Sequence, residues 1–165
     1  RVLPGVARFP GVRGRARRWP PRRHGLVDLG VRGLLRDLGR WLLAAFMAVA
    51  GTGHFLAADT FRAQVPPWMP SPEAVIAVSG VIELAFAAAL VFTRERRALV
   101  GWLLAAFFVI IFPGNISQFV TGTDAFGLDS DAARAVRLLF QPVLVVWALW
   151  CTGAWKQWRE RPADA

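Results

Sequence analysis

The sequence contains no tyrosine, one lysine (Lys156) and one cysteine (Cys151). A single cysteine excludes a disulfide or a Cys-x-x-Cys redox pair within these 165 residues, so any thiol chemistry would need a partner protein. Charge is also scarce, with 19% of residues charged against 55% hydrophobic. The two histidines, His24 and His54, are far apart, and nothing supplies a second nitrogen ligand at a suitable position for a metal or haem. No cofactor motif is present.

What charge there is falls unevenly. Residues 1–40 hold 11 Arg against Asp28 and Asp37, which accounts for the whole net charge of +9. The other 125 residues are neutral overall, so the chain divides into a basic leader and an apolar body. The leader is punctuated by Pro4, Pro10, Pro20, Pro21 and six glycines, residues that break most helices. Residues 1–37 are therefore expected to be a disordered arm or sequence upstream of the true start. As an arm they would be drawn to anionic headgroups by about 1 kcal/mol per arginine near the surface. Nucleic-acid binding is not expected, because neither aromatic interleaving nor a recognition fold stands behind the arginines. The preference for Arg over Lys, with abundant Ala, points to a high-GC bacterial genome.

Four apolar runs follow, at 41–58, 74–93, 98–120 and 138–154; Glu83 is the one Asp, Glu, Lys or Arg they contain. A hydrocarbon layer about 30 Å thick takes about 20 helical residues, and each run reaches or approaches that length. Four such runs in so short a chain would leave almost no polar surface for water. The expected fold class is thus an all-α integral membrane protein, a four-transmembrane-helix bundle over residues 38–155 with a tail at 156–165. Arginines cluster before the first run, between the second and third (Arg94, Arg96, Arg97), and with Lys156 after the fourth. By the positive-inside rule both termini are expected in the cytoplasm. Trp41, Trp102, Trp155 and Trp158 would mark the inner interface and Trp68 the outer one. A signal peptide ending at Ala48-Val49-Ala50 fits less well, since the apolar run continues to Ala58.

Polar residues inside the runs carry the functional expectation. His54 lies near the outer end of the first span, Asn115 and Gln118 near that of the third, and Gln141 a few residues into the fourth. Glu83 lies roughly 15 Å deep at 1.5 Å per residue, with Ser79 one turn away on the same face. An acid at the bilayer centre costs about 2.5–3.5 kcal/mol on insertion scales, and such residues usually face a cavity or a partner. Glu83 is therefore the candidate proton-handling group, and His54, Ser79, Glu83, Asn115 and Gln141 form the candidate ligand-binding set in the outer half of the bundle. A bland alternative is interhelical hydrogen bonding by the same groups. Pro113 and Pro142 free backbone carbonyls and can open a polar notch, with Asn115 beside the first. The segment from Phe61 to Pro72, with four prolines, is expected to be a stiff connector across the bundle's mouth.

The order Gly51-Thr52-Gly53-His54-Phe55, Val65-Pro66-Pro67-Trp68-Met69-Pro70, Ser79-Gly80-Val81-Ile82-Glu83, Phe112-Pro113-Gly114-Asn115-Ile116 and Arg137-Leu138-Leu139-Phe140-Gln141 resembles the DoxX-like family of small four-helix bacterial membrane proteins. The resemblance covers about residues 40–150. It departs at Gly114, where Ala is common, and at Ala87–Ala89, where more Gly is expected. It implies a multi-pass plasma-membrane protein linked to quinone or thiol redox chemistry; with the buried acid and the convergent polar groups, the expectation is an accessory redox component that binds a quinone or similar lipid-soluble molecule. It leaves open a scaffold for a soluble redox enzyme and, behind both, a small-solute transporter. It does not imply that this chain is an enzyme, and no oligomeric state follows from it.

Overall fold

A computed structural model describes residues 23–160, with side chains from residue 30 onward. The described chain is helical, with no strand: α1 (Arg23–Leu56), α2 (Ala58–Arg62), α3 (Pro72–Phe92), α4 (Arg97–Ile110), α5 (Phe112–Thr121), α6 (Asp131–Cys151) and α7 (Ala154–Arg159). Four long elements form a ring in which α1 packs on α3 and α6, and α4 packs on the same two neighbours. Three stretches are long and apolar enough to cross a membrane: Pro72–Phe92, Arg97–Thr121 and Asp131–Cys151. The first helix is long but carries Arg32, Arg36, Asp37, Arg40 and His54, which lower its apolar character.

Two boundaries differ from the sequence expectation. Helix α1 begins at Arg23, well inside the segment 1–37 expected to lack structure. No proline follows Pro21 there. Each interior glycine costs about 1 kcal/mol, and extending an existing helix is far easier than nucleating one. Residues 1–22 lie outside the described residues. At the other end α7 is helical where a plain tail at 156–165 was expected. Gly153, at φ +76°, turns the chain out of α6, and Ala154 is fully buried as α7 folds against α4 and α6. Residues 161–165 are again outside the described set.

The core lies in the half of the bundle where α3 ends and α4 begins. Leu43, Met47, Leu90, Leu104, Phe108, Ala148 and Cys151 fill it. Their burial is set by helical spacing: on α3 the enclosed positions are Ile76, Gly80, Glu83, Ala87 and Leu90, a strict three- and four-residue stripe. The outward faces are as apolar as the core. Leu42, Phe46, Val49, Val78, Val81, Val109, Ile110, Leu139 and Val143 are all exposed, a surface suited to lipid chains and far larger than the patches soluble monomers show. Trp41, Trp68, Trp102, Trp155 and Trp158 are also exposed.

Candidate functional site

Opposite the apolar core, the end of the bundle with the long connections collects most of the buried polar side chains. His54, Glu83, Asn115, Gln118, Arg134 and Gln141 are all buried there. Arg134 ties the start of α6 to the preceding connection, and the others form two groups.

The first group lies between α1 and α3. These helices approach closely because Gly51 and Gly80 face each other: a Cβ on Gly80 would come within 2.8 Å of His54 Cβ and 3.1 Å of the Gly51 carbonyl oxygen. Such small-residue contacts are how helices meet in a membrane. The approach brings His54 Nδ1 to 3.3 Å from Glu83 Oε2 and 2.9 Å from the Ala50 carbonyl oxygen. Both neighbours are oxygens and a carbonyl only accepts, so Nδ1 carries the proton. Glu83 is 6% exposed, and its Oε2, though near the imidazole, has no well-aligned hydrogen-bond partner among the described residues. His54 Nε2 makes no hydrogen bond there either, and His54 lines a cleft of about 180 Å³ with Phe55, Ala58, Arg62, Glu73, Ile76 and Ala77. The Arg62–Glu73 ion pair, at 2.6 Å, ties the ends of the α2–α3 connection beside the cleft.

The second group lies between α5 and α6. Pro113 has no N–H to offer the preceding turn, and the helix breaks at Ile111 between α4 and α5. Gln141 reaches into that break and donates from Nε2 to the Phe108 carbonyl. Asn115 Nδ2 donates to Gln141 Oε1 at 2.8 Å, and Arg137 Nε donates to Asn115 Oδ1 at 3.2 Å. The Gln64 amide, from the α2–α3 connection, faces Asn115, Gln118 and Arg137; with its oxygen turned to Arg137 it accepts from that guanidinium. Its backbone rests against Gly114, where a Cβ would lie 2.6 Å from the Gln64 carbonyl oxygen, so the glycine lets the connector sit down.

Aromatic rings join the two groups. The His54 ring lies on Phe61 at 3.8 Å between centroids, Phe61 meets Phe126 edge-on at 4.9 Å, and Arg137 sits 4.8 Å over Phe126. The five residues singled out from sequence therefore do not line one cavity. His54 and Glu83 meet, Asn115 and Gln141 meet, and Ser79 is half-buried one turn from Glu83 without joining either group. A larger cavity, about 650 Å³, opens at the mouth between α2, α5 and the α5–α6 connection, lined by Asp59, Thr60, Ser117, Thr121, Asp124 and Phe126 and by none of the five. Sequence reasoning passed over Arg137 and Gln64. Arg137 stands four residues before Gln141, one helical turn on the same face, but at the edge of the fourth apolar run, where an arginine draws no notice.

The described chain is thus a helical bundle with three stretches apolar enough to cross a membrane and most of its buried polar side chains at one end. Residues 43–152 match the family described as Domain of unknown function (DUF8561), and the chain belongs to that family. No curated protein and no solved structure matches it.

Proposed function

We propose that the chain is a four-span protein of the bacterial plasma membrane, with α1, α3, α4–α5 and α6 as its spans and both termini in the cytoplasm. On this reading it is an accessory, DoxX-like component of redox metabolism that binds a small lipid-soluble, hydrogen-bonding molecule of the quinone class. One observation carries the ligand assignment: the His54–Glu83 pair, buried between two helices, with Glu83 Oε2 lacking a well-aligned hydrogen bond among the described residues and His54 lining a cleft. A histidine whose Nδ1 faces a carboxylate keeps Nε2 for a ligand, an arrangement suited to accepting or returning a proton. The cleft is smaller than the roughly 300–1,000 Å³ that encloses a whole ligand. It suits a single polar ring whose tail stays in the lipid, and the exposed apolar helix faces support that route.

The test is binding of a short-tailed benzoquinone to the full chain in lipid nanodiscs, followed by tryptophan quenching. His54→Ala is expected to weaken binding about tenfold, the loss of one hydrogen bond in a dry site. Glu83→Gln keeps the side-chain shape but changes the partner of His54, and is expected to weaken binding while leaving a measurable affinity. Unchanged affinity in both variants would remove the ligand from this site.

A further inference from the structure

Arg62, Arg134 and Arg137 all stand at the polar end of the bundle, and they are held differently. Arg62 pairs with Glu73 at 2.6 Å, and Arg134 is clamped by Asp124 at 2.7 Å and Asp131 at 2.8 Å. Arg137 pairs with no carboxylate among the described residues. Its partners are the Asn115 amide oxygen, the Gln64 amide and the face of Phe126. These neutral groups orient the guanidinium without neutralising it. Charges taken out of water in proteins are ordinarily paired, and within a membrane-crossing helix the demand is stronger.

The position is built to hold the cation. Arg137 lies about 10 Å along α6 from its Ser130 cap. The chain of donors from Arg137 through Asn115 and Gln141 to the Phe108 carbonyl points every acceptor dipole towards it. Asp124, in the connection before α6, and Asp131, at its first turn, are already engaged by Arg134. Arg137 donates through the edge that faces the bundle, and Nη1 makes no hydrogen bond among the described residues. The side chain is half-buried, and its nitrogens are not among the enclosed atoms left without partners. The open edge of a guanidinium fixed in this way matches the paired oxygens of a phosphate.

We infer that Arg137, seated on Asn115 and Gln64 and backed by Phe126, is a subsite for a phosphate oxyanion at the polar end of the bundle. The inference does not depend on the ligand proposed for the His54–Glu83 cleft. A phospholipid headgroup and free inorganic phosphate share this chemistry, and two arms of one experiment separate them. The full chain is placed in nanodiscs of phosphatidylcholine with or without phosphatidylglycerol, and separately in phosphatidylcholine with inorganic phosphate in the buffer. Lipid retention is read by native mass spectrometry and the unfolding midpoint by tryptophan fluorescence. The wild type is expected to retain phosphatidylglycerol and to unfold at higher temperature with it. Arg137→Gln is expected to lose about tenfold in retention, whereas Arg159→Gln, at an exposed arginine of α7, behaves as wild type. A midpoint raised by inorganic phosphate instead, and lost in Arg137→Gln, assigns the same subsite to a free oxyanion. Should Arg137→Gln not fold, Arg137→Lys keeps the charge and loses the two-pronged geometry, and weakened retention by it supports the subsite. Equal retention by wild type and variant, with no response to phosphate, overturns the inference.

Discussion

At the scale of single residues, glycine and glutamate at neighbouring positions of α3 explain each other. Gly80 has no Cβ, so α1 can lie against it, and that contact is what puts His54 one turn away beside Glu83. A Cβ at Gly51 would likewise come within 2.9 Å of the Gly80 carbonyl oxygen, so neither helix can yield without moving the other. Gly80→Leu is therefore expected to cost about 1–3 kcal/mol through overpacking, read as a fall in the unfolding midpoint in detergent. It should also pull His54 from Glu83. Gly114→Ala makes a milder test of the same kind. Its methyl group meets the backbone of Gln64, so the connector must lift, and the Gln64 amide should move off Arg137. Glu83 was plain in the sequence because it is the one acid in a long apolar run. Arg137 was not, because its meaning comes from the absence of a carboxylate around it among the described residues, and no linear pattern records an absence in space.

At the scale of elements, the breaks matter more than the helices. The third apolar run was legible as one span, and Pro113 announced a notch in it. The structure turns that notch into a hydrogen-bonding site, where Gln141 from a neighbouring helix takes the Phe108 carbonyl. The fourth apolar run begins at 138, whereas α6 begins at Asp131, because Ser130 caps it by accepting from the Ala133 amide at 3.2 Å. Ser130→Ala is expected to cost about 1 kcal/mol, measurable by denaturant unfolding with no change at the far end of the helix. Arg134 extends this start into the preceding connection by holding Asp124, Asp131 and the Leu128 carbonyl together. Arg134→Ala should loosen residues 122–130 and raise their rate of cleavage in limited proteolysis severalfold. An unaltered rate would mean that the connection is held by other contacts.

For the whole molecule, the proposed topology makes a test that does not depend on any ligand. Single cysteines are introduced in a Cys151→Ser background, Arg96→Cys in the short α3–α4 turn and Ala125→Cys in the α5–α6 connection. With intact cells and a maleimide that cannot cross membranes, Ala125→Cys is expected to label from outside and Arg96→Cys only after lysis. Labelling of both from the same side would overturn the four-span topology.

The helical class, the apolar lipid-facing character and the positions of the polar residues within each run follow from the sequence itself. They depend on local spacing and on transfer from water to hydrocarbon, and both are properties of a segment taken alone. Which polar residue meets which was decided by tertiary structure. Close approach at Gly51 and Gly80 joined His54 to Glu83, the break at Pro113 joined Asn115 to Gln141, and Phe61 and Phe126 came to stand between the two groups. Pairing across helices depends on rotation and separation in three dimensions, so one expected cavity became two separate polar groups and left Arg137 without an acid among the described residues.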